Sequence, residues 1–152
     1  MNMKMGLKIL MIAPTPFFSD RGCHVRIYEE SRALQKLGHK VIICTYHLGT
    51  NIKDIDTRRI CNIFWYKKIS AGPSWHKIYL DALLFLKSLH TAIKVKPDVV
   101  HAHLHEGMCI AIFLRLFIRR PVLFDFQGSM IEECVDHGFF KSGGLLSRIF
   151  RF

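Results

Sequence analysis

Three histidines alternate along one short segment, and a carboxylate follows them. His101, His103 and His105 are separated by single residues, and Glu106 comes next. Alternate side chains of an extended strand point to the same face, so a strand through this segment would align the three imidazoles. Imidazole and carboxylate groups are zinc ligands, which makes a metal site one interpretation. The alternative interpretation is that His101 simply occupies a partly buried strand position. We expect no metal, because alternate histidines on one strand rarely converge on an ion without partners from elsewhere.

A second candidate for chemistry is the turn that follows the first apolar run. Residues 13–22 precede a helical pattern, and the N-terminus of a helix can bind an anion through its free N–H groups and its dipole. The turn contains a single glycine, Gly22. Neither the three-glycine dinucleotide motif nor a Walker loop is present, which disfavours an NAD or ATP site. The alternative role of Gly22 is simply to let the chain enter the helix.

Composition limits the class of protein. The chain has 152 residues, the length of one domain on a scale of roughly 100–200 residues per domain. Half of its residues are apolar, and 22 Lys and Arg against 12 Asp and Glu leave a net charge of +10. This surplus favours an anionic partner. No basic run exceeds two residues, so we do not expect nucleic acid to be that partner.

The cysteines and the apolar segments bear on location. The five cysteines include no CxxC pair, which indicates reduced thiols in the cytoplasm. The most apolar segment, 78–89, is interrupted by Asp81 and Lys87 and is shorter than the ~20 residues that span a bilayer. We therefore expect no transmembrane helix.

Strand-like and helix-like patterns alternate along the chain. We predict strands at 7–13, 41–46, about 63–66, 98–102 and 122–126, with helices at 22–37, 75–95, 106–118 and from 128 to about 135. Residues 49–56 read as a polar loop. This alternation predicts an α/β fold, a single Rossmann-like domain with a doubly wound parallel sheet. Ligands of such sheets bind beyond the carboxyl ends of the strands.

Three motifs carry a resemblance to a known family. The first runs from Lys8 through the long loop to Gly22 and ends with Leu-Gly-His-Lys-Val at 37–41; the others are 97–103 and 120–129. In this order they resemble the N-terminal, acceptor-side domain of GT-B glycosyltransferases of the family-4 type. The resemblance covers nearly the whole chain.

The resemblance implies sugar transfer from a nucleotide-sugar donor, with retention and without a metal or other cofactor, in a cleft between two Rossmann-like domains. Residues 1–152 would form the N-terminal domain, and the C-terminal nucleotide-sugar domain would be absent. We therefore expect the isolated chain to be nearly inactive. Implied partners are the donor, an acceptor that is a sugar, polyol or lipid-linked sugar, and a complementary C-terminal domain.

The resemblance also implies site residues, although it identifies no catalytic one. Gly22 would place its N–H near the donor phosphate, and Arg21 would stand where the family often has a first glycine. Acceptor-side groups would be His103, Glu106, Gln127, Gly128 and Ser129. Ser129 is alternatively an ordinary helix N-cap.

Basic side chains of the first half are candidates for peripheral contact with the inner face of the cell membrane, with a solvated face as the alternative. They are Arg26, Lys53, Arg58, Arg59, Lys67 and Lys68. Two other functions stay open. One is a non-catalytic binding module or one chain of a split glycosyltransferase, and the other is an NAD- or nucleotide-binding Rossmann protein.

Overall fold

The computed structural model describes residues 6–19, 22–67 and 75–127. Its elements follow in the order β1 (Lys8–Ala13), α1 (Gly22–Lys36), β2 (Lys40–Thr45), β3 (Asp56–Arg59), α2 (His76–Val95), β4 (Val99–His103), α3 (Leu104–Ile118) and β5 (Val122–Asp125). The five strands form one sheet in the order β3-β2-β1-β4-β5, and every pair is parallel. The predicted doubly wound α/β fold is confirmed.

The two faces of the sheet bury separate apolar cores. On one face Ile9 and Met11 of β1 pack with Ile27 of α1. On the other, side chains of α2 and α3 pack against the sheet, among them Leu84 and Leu114. Because β1 is central, it is buried on both faces, which explains its nearly continuous apolar sequence.

The sequence predicted most elements, but the strand at 63–66 is wrong. Ile63 and Tyr66 are buried, whereas Phe64 and Trp65 are 74% and 65% exposed. The Tyr66 N–H donates to the Ile63 carbonyl over 3.1 Å. Two buried residues three positions apart, joined by this backbone hydrogen bond, are typical of a turn. In a strand, buried and exposed side chains would alternate at every residue. The predicted helix from 128 to 135 lies outside the described residues.

The third strand is instead the polar segment 56–59, which lies at the edge of the sheet and pairs with β2. Arg59 fixes its position: the guanidinium donates to the carbonyls of Tyr46, Leu48 and Thr50 over 3.1, 2.6 and 2.8 Å. Arg58 pairs only with Asp56 of the same strand, at 3.0 Å. One arginine therefore ties the loop after β2 to the edge strand, which apolar patterning does not reveal.

Close packing of α3 against the end of β1 requires a glycine. A Cβ at Gly107 would lie 3.1 Å from the Ile12 carbonyl oxygen and 3.2 Å from the Pro14 ring. The first turn of α3 therefore lies directly beside the carboxyl end of β1. Within the three described ranges, no helix is both long and apolar enough to cross a bilayer.

The different roles of Arg59 and Arg58 give a test of stability. Arg59→Met removes the donor to the partly buried carbonyls of Tyr46 and Leu48, so we expect the free energy of unfolding to fall by about 2 kcal/mol. The matched control, Arg58→Met, loses one solvent-accessible ion pair and should cost less than about 1 kcal/mol. Urea unfolding of both variants measures the difference, and equal losses would contradict the role given to Arg59.

Candidate functional site

The sheet contains a crevice where its winding reverses. β1 and β4 are neighbours, but the helix after β1 packs on one face and the helix after β4 packs on the other. Helices that leave adjacent strands on opposite faces open a crevice at the carboxyl ends, where ligands of this architecture bind. His103 and Asp125 end β4 and β5 and are register partners.

Asp125 is the centre of a polar cluster at this edge. Its side chain is only 5% exposed. Nη2 of Arg26 donates to Oδ1 over 2.6 Å, Nδ1 of His103 lies 3.1 Å from Oδ2, and Nε2 of Gln127 donates to Oδ2 over 2.5 Å. Burial by itself would raise the pKa of Asp125, but these hydrogen bonds and the Arg26 charge lower it overall. The carboxylate is therefore ionised and joins α1, β4 and the segment after β5.

Glu30 extends the cluster along α1. Nε of Arg26 donates to its Oε1 over 3.2 Å, an i,i+4 pair. Its Oε2 lies 3.8 Å from Nε2 of His101 and 3.9 Å from Nδ1 of His103. This oxygen is buried, and no described residue hydrogen-bonds to it. Burial and the nearby Asp125 charge raise the pKa of Glu30.

The two strand histidines lie side by side, with ring centroids 4.3 Å apart. His103 is completely buried, and its Nε2 has no hydrogen-bond partner in the part of the chain that the structure describes. Burial lowers the pKa of His101 and brings that of His103 to about 4. Both rings are therefore neutral at pH 7 and offer nitrogen lone pairs. Among the described residues, Glu30, His101 and His103 form the one group whose ligand atoms all lie within 4.8 Å of each other, as a metal site requires.

His105 does not share the face of His101 and His103, contrary to the extended segment that the alternation predicted. β4 ends at His103, and Leu104, with a φ of 61°, turns the chain directly into α3. The His105 ring instead packs edge-on against Phe124 and Phe126. The prediction required an extended chain, in which alternate side chains share a face. The chain is helical directly after β4, so that alternation ends at His103.

The residues predicted on the acceptor side do not all come together. His103 and Gln127 both contact Asp125. Glu106 lies in the first turn of α3, and its carboxylate pairs with Lys77 of α2 at 2.5 Å, on the sheet face opposite α1. His103 and Glu106 are thus not adjacent. Gly128 and Ser129 lie outside the described residues.

On the donor side, Gly22 is the exposed first residue of α1. A Cβ placed there would meet no atom within 4 Å, so packing within the described residues does not require a glycine. Arg21 lies outside the described residues. In the first turn of α1, His24 is fully buried and holds the loop after β1 through hydrogen bonds with Thr15 and Ser19.

Sequence reasoning missed three members of the cluster: Arg26, Glu30 and Asp125. Arg26 was a candidate for membrane contact, yet its guanidinium pairs with Asp125 and Glu30. Arg59 was another, and its guanidinium is occupied by carbonyls of the loop after β2. The sequence did hold a signal, because Arg26 and Glu30 are four residues apart on one helix and Asp125 ends a strand. Only the order of the strands brings them together.

The buried histidine gives a pH test. Because the folded pKa of His103 is about 4 and an unfolded histidine has a pKa of about 6.5, the unfolded chain binds more protons between these values. Stability should therefore fall as pH drops from about 6.5 to 4, by up to about 3 kcal/mol from this group. His103→Gln should remove that dependence.

Chemical unfolding at pH 7.5 and pH 4 measures the effect. Asp81 has a pKa raised to about 6, and the pKa of Glu30 is also raised. These two groups make the protein more stable as pH falls, in the wild type and in the variant alike. The quantity compared is therefore the change in unfolding free energy between the two pH values, in the wild type and in His103→Gln. The control is His90→Gln, at an exposed position, which should keep the wild-type profile. An unchanged profile in His103→Gln would contradict the neutral buried imidazole.

Comparison with known proteins places this geometry in a family. The model of Glycosyltransferase Family 4 matches residues 21–149, which include α1, every strand after β1, and all of the cluster. A comparison with curated proteins finds no significant match. The match extends over most of the chain, and the parallel sheet with its switch-point crevice is consistent with it. The chain belongs to glycosyltransferase family 4.

Proposed function

We propose that this domain forms the acceptor-side wall of a GT-B cleft, in an enzyme that transfers a sugar from a nucleotide-sugar donor with retention. The observation that carries the proposal is the polar cluster around Asp125, at the carboxyl ends of β4 and β5 beside the switch point. In a family-4 glycosyltransferase, a cluster in this position faces the place where ligands of such sheets bind. The second wall would be a nucleotide-sugar domain, supplied by the same or a complementary chain.

The donor phosphate would lie at the start of α1. Gly22 is exposed and has open space where a side chain would be. An N-terminal N–H can therefore approach an anion closely, and the helix dipole favours negative charge there. Arg21, the preceding residue, would add a cation. Transfer at this position needs no metal on the diphosphate.

The acceptor would meet the outer side of the cluster. Gln127 is half-buried beside Asp125, and its carboxamide offers both a donor and an acceptor to a hydroxyl group. The Arg26 side chain is 53% exposed, and its guanidinium has further N–H groups that can donate to an acceptor hydroxyl beside those bound to Asp125 and Glu30. His103 is buried, so it would act as a positioning residue that orients Asp125. Glu106, Gly128 and Ser129 are proposed acceptor contacts on the resemblance alone.

Rate enhancement would come from positioning and electrostatics. An ordered wall of hydrogen-bond donors holds the acceptor hydroxyl near the anomeric carbon, and fixed cations and helix N–H groups stabilise the departing nucleotide phosphate. The enzyme would work in the cytoplasm, with a lipid-linked acceptor presented at the inner face of the membrane.

The division between donor and acceptor sides predicts a kinetic split. In an enzyme that contains this domain and its nucleotide-sugar domain, Gly22→Val should lower kcat by about 100-fold or more. The valine side chain would fill the open space beside the N–H and keep the phosphate away from it, and loss of one such hydrogen bond at a developing charge costs on that order. Gln127→Ala should raise the acceptor KM by about tenfold, the effect of one hydrogen bond, with kcat changed less. Steady-state transfer assays with varied donor and acceptor measure both.

The controls separate fold from function. Gly22→Val should unfold at the wild-type temperature, since its Cβ has open space. Glu29→Ala, at an exposed position on the same helix, should keep wild-type kinetics. Wild-type turnover in Gly22→Val would contradict the proposal that the donor phosphate binds at the start of α1. Absence of transfer from any nucleotide sugar by the folded two-domain enzyme would contradict the proposed function.

A further inference from the structure

The cluster contains a gap that its own hydrogen bonds do not fill. Oε2 of Glu30 is buried and has no hydrogen-bond partner within the described ranges, although its other oxygen accepts from Arg26. Nε2 of His101 and Nδ1 of His103 lie 3.8 and 3.9 Å from this oxygen, beyond hydrogen-bond distance. A buried carboxylate oxygen without a partner is costly. The three atoms lie within 4.8 Å of one another, close enough for one small cation to contact all of them.

From this arrangement we infer that Glu30, His101 and His103 bind a divalent transition-metal ion of the zinc type. Ligand atoms bound to zinc at about 2.0–2.1 Å in a tetrahedron are about 3.3 Å apart, so each of the two separations from Glu30, 3.8 and 3.9 Å, must close by about 0.5 Å. Two imidazoles and one carboxylate are a set of three protein ligands that zinc accepts, with a water or another molecule in the fourth position. Asp125, whose Oδ2 lies 3.1 Å from Nδ1 of His103, borders the site without belonging to the group of three.

The charges and protonation states are compatible with a cation. Glu30 and Asp125 together carry two negative charges when ionised, and Arg26 is the one cation that the described structure pairs with them. Binding through Nδ1 of His103 requires the tautomer whose ring proton is on Nε2, so the proton moves from Nδ1, which contacts Asp125, to Nε2 with no net release.

The site also has an orienting contact and an approach from solvent. Arg26 holds Glu30, and such contacts typically orient metal ligands. A cavity of about 270 Å³ is lined by Glu30 and His101 together with apolar side chains of α1 and the sheet. An ion bound here would join α1 to β4, on the domain that is proposed to face the acceptor.

The site differs from what the sequence alone suggested. The alternation of His101, His103 and His105 suggested a metal site. We did not expect one, because the sequence showed no further ligand from another element. The third histidine turns away into α3, and Glu30 of α1 takes its place. The inference does not depend on the proposed sugar transfer, since the ion would bind the domain without a donor.

Metal titration of the 152-residue chain tests the site. After treatment with a chelating resin, we expect one Zn²⁺ to bind saturably by calorimetry. Co²⁺ should give the visible bands of tetrahedral coordination and no thiolate charge-transfer band, which separates this site from the cysteines. Glu30→Gln and His103→Gln should each weaken binding at least about tenfold.

Matched controls are Glu29→Gln and His90→Gln, at exposed positions outside the cluster, which should bind as wild type does. Near-ultraviolet circular dichroism reports folding, and the wild-type Co²⁺ spectrum decides the ligand type even where a variant fails to fold. Absence of saturable binding by the folded wild type, a thiolate band, or unchanged affinity in both cluster variants would overturn the inference.

Discussion

The functional edge of this domain depends on one buried carboxylate. Asp125 ends the last described strand, and its two oxygens receive hydrogen bonds from a helix, from the neighbouring strand and from Gln127, two residues further along the chain. Without those donors, a carboxylate with a 5% exposed side chain would be strongly destabilising. The need to satisfy one charge thus fixes the relative positions of α1, β4 and β5. Those are the elements that border the switch-point crevice.

The rest of the fold brings these donors to the carboxylate. β4 must lie beside β1 for α1 to reach it, and this adjacency is a property of the strand order. Gly107 lets α3 approach the end of β1, and Arg59 secures the opposite edge of the sheet. The apolar cores on the two faces supply the stability, and the polar cluster at the rim supplies specific geometry. Membership of glycosyltransferase family 4 gives that geometry a chemical context.

Much of the architecture could be predicted because it follows from local patterns. Continuous apolar runs predicted β1 and β2, and an apolar face with a terminal Gly38 predicted α1. β3 could not be predicted in this way, since its polar residues are held by arginine hydrogen bonds, and the apolar residues 63–66 form a turn instead. The prediction that an extended segment continues through His105 was wrong, because α3 begins at Leu104.

The site was predicted less completely than the fold, for a physical reason. His103 ends β4 and Gln127 follows β5, and the family resemblance pointed to both as acceptor-side residues. Arg26 and Asp125 are 99 residues apart in sequence, and the local sequence around either residue does not predict that they pair. Glu106 was placed beside His103 by proximity in sequence, yet the start of α3 sends its side chain toward Lys77. Contacts between elements are set by topology and are not visible in either segment alone.

The measurement that tests this account most directly is a double-mutant cycle between His103 and Asp125. Free energies of unfolding would be determined for His103→Gln, Asp125→Asn, the double variant and the wild type at pH 7. If the buried carboxylate organises this edge, the two changes should be coupled by about 1 kcal/mol or more. Additivity within about 0.5 kcal/mol would contradict the central role of Asp125.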